Sequence, residues 1–260
     1  MQRERAPETG APRHVCWQYD SPDEFQAKAR AFLAEGLSRT YRALYVADNP
    51  EQLQADSMIQ VAGCEDFLPS GPQFDPEKAL GAFNLATEKA MAEGFAGLSV
   101  AVDCTTLALD ALESLARFEY LLGEYVATHP LSALCGYNRS RLDGERTAQV
   151  VCLHSDSNVD GPGFRLHAGD CRTLVLSGQL DLFSADLLAL TLRRAALEPQ
   201  NGELVVDASA LTFLDHNTLL RLAEYAQSLR SVLVLRTSWP GAAQLARLLD
   251  VSGVRVEPAP

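Results

Sequence analysis

Three short apolar runs, Arg42 to Ala47 (RALYVA), Gly97 to Asp103 (GLSVAVD) and Ser132 to Gly136, alternate with stretches of helical periodicity, and this alternation constrains the chain most. Runs this short, apolar at consecutive positions, are buried on both faces of a sheet. Strands separated by helix-length segments cannot pair as hairpins. They pair in parallel, with the helices crossing over the sheet. The helical stretches are Asp23 to Leu37, Pro76 to Gly94 and Leu107 to Thr128. In the first, Phe25, Ala29, Phe32, Leu33 and Leu37 form one stripe, opened by Ser21-Pro22 and broken near Gly36. The expectation for residues 14–154 is a three-layer α/β sandwich around a parallel sheet.

A second unit is expected over residues 164–258. Phe164 to His167 and Arg172 to Leu180 read as strands joined by a tight turn at Ala168-Gly169-Asp170. Ser184 caps a helix reaching about Ala196, and Glu203 to Asp207 (ELVVD) is a strand. Asp215 caps a helix to Leu229, Val232 to Arg236 (VLVLR) is a strand, and Pro240 opens a helix to Leu249. The order is β-β-α-β-α-β-α. Between the units, residues 155–163 (SDSNVDGPG) have almost nothing to bury and read as a linker, and residues 1–13 read as a disordered tail.

The net charge of −12, with no run of Lys or Arg, disfavours nucleic acid as a partner. No apolar run approaches the ~18 residues that a membrane helix needs. The polar start MQRERAPETGAPR is followed by no apolar signal core, so a cytoplasmic protein is expected. Six cysteines without a CxxC pair read as buried thiols rather than disulfides.

Enzymatic motifs are missing: there is no GxxxxGK[ST] loop, GxSxG elbow or HExxH pair. After the first run stand Asp48-Asn49-Pro50-Glu51, acids and a proline where a phosphate would need backbone donors. Asp103 ends GLSVAVD as a magnesium-binding acid would, but its plainer role is to cap the next turn. The chain is therefore expected not to be an enzyme. His14, Cys16, Cys135 and His154 flank the first unit, where a sheet could gather them. Imidazole and thiolate would suit a soft metal, a redox function or a small-molecule sensor. The plainer reading, preferred here, makes the cysteines core residues and leaves the histidines bonded to backbone. No metal or cofactor is expected.

The second unit resembles the STAS domain of bacterial anti-sigma-factor antagonists. Leu174 to Asp181 (LVLSGQLD) is similar to the family's early strand ending in G-x-L-D, and Glu203 to Leu214 to its central strand and the lead into its signature loop. That loop commonly reads D-S-S-G, with a phosphate-accepting second serine; here it reads Asp215-His216-Asn217-Thr218. Asn217 has no hydroxyl and mimics the unmodified, binding-competent state, while Thr218 is a candidate substitute acceptor. The resemblance implies that this loop and helix form a docking surface, with Thr218, Arg221 and Tyr225 on its face. The implied partner is an anti-sigma factor of kinase-like fold, or another STAS protein.

The first unit resembles the MEDS sensory domain of a dichloromethane-responsive regulator. The resemblance rests on His14 to Asp20 (HVCWQYD), Phe32 to Leu37, Ala90 to Phe95 and Leu134 to Asn138 (LCGYN), with His154 at the family's terminal histidine. It implies a RecA-like sandwich without nucleotide chemistry, and makes His14, Cys16, Tyr19, Cys135, Tyr137 and His154 the candidate sensory residues. The expected protein is a signalling chain that regulates transcription indirectly. Alternatives are a scaffold in a stress-signalling complex, a homo-oligomer among its forms, and a ligand- or metal-binding sensor acting through the first unit.

Overall fold

Each expected strand of the first unit takes its place in one parallel sheet. The computed structural model of the chain describes residues 11–48, 57–68, 74–169 and 173–259. The first unit runs β1 (His14–Tyr19), α1 (Pro22–Ser38), β2 (Tyr41–Ala47), β3 (Ile59–Gly63), α2 (Cys64–Phe67), α3 (Pro76–Ala92), β4 (Gly97–Asp103), α4 (Thr105–Asp110), α5 (Leu112–Thr128), β5 (Leu131–Asn138), α6 (Gly144–Val151) and β6 (Asp156–Ser157). The sheet order is β3-β2-β4-β5-β1-β6, and every pairing is parallel.

Side-chain parity divides the unit into three layers. On one face, Phe25, Ala29, Phe32 and Leu33 of α1 pack on Val15, Tyr19, Ala43, Tyr45, Ala101 and Leu134. On the other, Phe83 of α3 and Leu115, Phe118 and Leu122 of α5 cover Cys16, Leu44, Val46, Val100, Val102, Cys135 and Tyr137. Each fully buried Leu or Phe contributes ~1.5–3 kcal/mol, so these stripes fix which helix face meets the sheet. The Ser21 cap forms as expected, with Glu24 N–H donating to Ser21 Oγ at 3.3 Å.

The second unit comprises β7 (Phe164–Ala168), β8 (Leu174–Leu180), α7 (Ala185–Ala195), β9 (Glu203–Asp207), β10 (Leu211–Leu214), α8 (His216–Ser228), β11 (Val232–Arg236), α9 (Gly241–Leu248) and β12 (Val254–Glu257). Its sheet runs β10-β8-β9-β11-β12, with β7 antiparallel to β8. Helix α5 joins the two units: its Ala116 and Tyr120 enter the second unit's core with Leu166, Leu188 and Leu192. Arg194 of α7 donates to Glu113 Oε2 at 2.8 Å and to Gln149 Oε1 at 2.6 Å.

The structure departs from the sequence expectations at several points. The helix expected from Leu107 to Thr128 breaks at Ala111, whose φ of −145° ends α4 before α5 begins. Residues 155–163 are not a free linker. Asp156 and Ser157 pair with β1, and Asn158 exchanges two 2.8 Å bonds with the Gln18 backbone. Arg13, placed in the tail, already accepts from Ala133 N–H through its carbonyl; residues 1–10 lie outside the described residues. Ser184 precedes α7 without a capping bond, because its Oγ instead accepts from Asp181 N–H at 2.8 Å and donates to the Asp181 carbonyl at 2.9 Å. Pro240 sits one position before α9 rather than in it. Gly169 N–H bonds to Thr173 O, while Asp170 and Arg172 of the expected turn and strand lie outside the described residues.

Candidate functional site

Parity in β1 and β5 places chemistry under α5. Alternation puts His14 and Cys16 on the sheet face that α5 covers, and puts Cys135 and Tyr137 beside them, with Cys16 in register with Cys135. Glu119 projects onto the same spot from α5. It lies in the apolar stripe, four residues after Leu115 and three before Leu122, and is fully buried. A charge buried there needs partners, and three converge on it. His14 Nε2 is 2.9 Å from Glu119 Oε2, the Cys135 thiol donates to the same oxygen at 3.4 Å, and the Tyr137 hydroxyl donates to Oε1.

His154 completes the group from just beyond α6. Its Nδ1 lies 2.9 Å from the Val150 carbonyl and so carries the proton, which leaves the Nε2 lone pair free. That Nε2 lies 3.3 Å from Glu119 Oε2 but is not aligned as a hydrogen bond, so it has no hydrogen-bond partner. His14 Nδ1 also lacks one. An orphaned buried polar atom typically costs ~1–3 kcal/mol, and two in one cluster are unusual. The two imidazole rings lie 4.1 Å apart, and one ligand atom from each of His14, Glu119, Cys135 and His154 falls within 4.8 Å of the others.

Burial sets the protonation states. Burial, reinforced by His154, brings His14 down to about 4 against the pull of Glu119. Burial also opposes charge on Glu119, but His154 and His14 outweigh it and hold the carboxyl well below its ordinary range. A neutral His14 lowers the carboxyl by donating its Nε2 proton to Oε2. The three donors on its oxygens keep Glu119 ionised. Burial pushes the Cys135 thiol well up, with Cys104 and Glu119 adding to the effect.

Not every sequence candidate belongs to this cluster. Cys16 is buried next to it but outside the four-donor group. Tyr19 faces the far end of the sheet, donating to Asp103 Oδ2 at 2.7 Å. Asp103 Oδ1 accepts from Thr105 N–H at 3.0 Å, which is a turn cap. Asp48 accepts from Thr106 Oγ1 at 2.8 Å, and Asn49, Pro50 and Glu51 lie outside the described residues. The histidines were read as bonded to backbone; this holds for His154 Nδ1 only, because the other nitrogens face Glu119 or nothing. The five described cysteines are free and buried. Sequence reasoning missed Glu119, whose signal was a lone acid inside an apolar helical stripe.

A second candidate surface lies at the start of α8. Asp215 is its N-cap, with Oδ1 accepting from Thr218 N–H at 2.8 Å. His216 is exposed and Asn217 half-buried, but Thr218 is fully buried and its hydroxyl has no partner. Thr218 is thus closed to a kinase in this fold, which corrects its reading as a surface acceptor. Arg221 is exposed beside Glu224. Tyr225 is half-buried, its hydroxyl accepting from Leu197 N–H at 3.1 Å, so it ties α8 to the end of α7 instead of facing outward. Unforeseen in the sequence, apolar side chains stand open near the tip: Phe183 is 92% exposed, Leu182 64% and Leu220 38%, while Phe213, 42% exposed, lies edge-on to Trp239. Leu182, Asn217, Leu220 and Arg221 line a shallow groove between α7 and α8.

Among the described residues, no helix is long and apolar enough to cross a membrane. Residues 13–155, more than half of the chain, match the family model described as MEDS: MEthanogen/methylotroph, DcmR Sensory domain. No curated protein and no solved structure gives a significant match.

Proposed function

The chain belongs to the MEDS family of sensory domains, and from that premise we propose a non-enzymatic signalling protein whose second unit passes on what the first unit senses by docking on another protein. The second unit is read as a STAS domain, and its partner as an anti-sigma factor of kinase-like fold whose capture frees a sigma factor. One observation carries this reading: the uncharged side chain of Asn217, at the positive end of α8, shares a groove with the exposed Leu182 and Leu220, and Phe183, next to Leu182 in the chain, is also open to solvent. Exposed apolar side chains rimmed by polar ones, as Leu182 and Leu220 are by Asp186, Asn217, Arg221 and Glu224, mark surfaces that a partner covers. With Thr218 buried and Asn217 unable to take phosphate, control falls to the sensory unit rather than to phosphorylation.

The test is retention of kinase-fold anti-sigma factors by the immobilised full chain, with labelled ATP present. The expected result is capture without label on this chain, weakened ~30-fold or more by Phe183→Asp or Leu220→Asp, as for an anchor at the centre of an interface. No capture of any such factor, or label that disappears in Thr218→Ala, overturns the reading.

A second reading, a ligand- or metal-binding sensor whose work lies in the first unit, is favoured by the buried His14–Glu119–Cys135–His154 group.

A further inference from the structure

We propose that His14, Glu119, Cys135 and His154 bind one divalent cation of the zinc class. This deepens the sensory reading of the first unit and does not depend on the docking reading of the second.

Ligand geometry is the first support. Donors held ~2.0–2.3 Å from one ion at tetrahedral angles stand about 3.3–3.7 Å apart. The separations here are 3.3 Å for His154 Nε2 to Glu119 Oε2, 3.4 Å for Cys135 Sγ to Glu119 Oε2 and 3.6 Å for Cys135 Sγ to His14 Nε2. The His14 Nε2 to Glu119 Oε2 separation, 2.9 Å, must open by a few tenths of an ångström. The four ligands come from four elements far apart in sequence, β1, α5, β5 and the turn after α6, so the fold itself assembles them.

Charge balance is the second. A dication with one carboxylate and one thiolate is neutral, which suits a buried site, whereas without it the ionised Glu119 is a buried charge among neutral donors with no counter-charge. Binding releases the Cys135 proton to solvent, moves the His14 proton from Nε2 to Nδ1 so that Nε2 can ligate, and gives the unpartnered His154 Nε2 a bond. The hydrogen bond from His154 Nδ1 to the Val150 carbonyl is the usual outer support of a ligating imidazole, and the Tyr137 hydroxyl gives the same support to Glu119 Oε1. Two nitrogens, one sulfur and one oxygen suit zinc, and cobalt as its spectroscopic substitute, rather than the all-oxygen preference of calcium or magnesium.

The experiment uses the full chain stripped with a chelator and titrated with zinc(II) or cobalt(II) alone. One ion per chain is expected, with the intense visible bands of tetrahedral cobalt and a near-ultraviolet thiolate charge-transfer band. The charge-transfer band should vanish in Cys135→Ser and persist in Cys16→Ser and Cys104→Ser. Glu119→Gln and His154→Ala should weaken zinc by more than the ~10–100-fold that outer partners are worth, and Tyr137→Phe by about that amount. Wild-type protein that takes up no stoichiometric ion, or binds cobalt without the thiolate band, overturns the site with no variant needed. So does a band that survives Cys135→Ser. None of these readouts involves the partner, so their failure leaves the docking surface of α8 to its own capture experiment.

Discussion

His14 and Glu119 lie 105 positions apart in the chain, yet Nε2 of one is 2.9 Å from Oε2 of the other, and both are buried. This contact joins β1, the strand next to one edge of the first sheet, to the helix that both cores share. It determines how the chain responds when either residue changes.

In metal-stripped protein, Glu119→Ala should destabilise the fold by about 3–5 kcal/mol. It removes the acceptor of Tyr137, Cys135 and His14 together and leaves those groups buried without a partner. Glu119→Gln keeps an acceptor oxygen and should cost distinctly less. Urea midpoints with an unchanged slope would report both values. A loss below about 1 kcal/mol for the alanine variant would mean that the cluster does not hold α5 to the sheet.

Close approach of α1 to the sheet gives a second prediction. A Cβ on Gly36 would stand 2.5 Å from Ser99 Cβ in the middle of β4. Gly36→Ala should therefore destabilise by roughly 1–3 kcal/mol, as overpacking does, despite the higher helix propensity of alanine. The double variant with Ser99→Gly should lose less than the sum of the two single losses, a coupling that thermal or chemical melts can measure. Additive losses would show that the two residues do not meet.

The parallel α/β character of the first unit was legible because β2, β4 and β5 are apolar on both faces. Strand β1 was not legible as a strand. Its His14 and Gln18 put polar groups at alternate positions, and these point towards α5, so the residues that form the site also obscured the element carrying them. Edge strands were lost for another reason: β3 and β12 are only partly buried, and β6 has two residues, too few for any pattern. At the site, the sequence pointed to His14, Cys135 and His154 but not to Glu119, because a carboxylate within a long amphipathic helix ordinarily marks its solvent face. Thr218 erred in the opposite direction. A hydroxyl in the first turn of a helix suggests exposure, yet the α8 stripe turns it inward beside Leu219.

That burial makes a prediction about the tip of α8. Thr218→Val removes a buried hydroxyl that has no partner and should leave stability unchanged or raise it slightly. Asp215→Ala removes the bond from Thr218 N–H and should cost about 1 kcal/mol. If the threonine variant instead proved much the less stable of the two in thermal melts, the hydroxyl would have to be bonded in the folded protein.

The two tryptophans offer a way to measure how the units communicate, since Trp17 lies in β1 and Trp239 in the turn before α9. Helix α5 feeds both cores, and the junction is stitched by Leu166 N–H to Cys152 O at 2.7 Å and by Arg165, which donates to His154 O and Ser157 Oγ at 3.1 Å each. Neither half can open without exposing part of the other's core. Trp17→Phe and Trp239→Phe, each leaving one reporter, should accordingly give coincident unfolding midpoints, the mark of a single cooperative transition. Arg165→Ala strips two charge-assisted bonds from the junction and should cost about 2 kcal/mol, while Arg165→Lys, which cannot span both acceptors, should recover only part of it. In the Arg165→Ala background the second-unit reporter should begin to melt before the first. Separate midpoints already present with Arg165 intact would show that the halves fold independently, and a cue held at His154 would then have no mechanical path to β7.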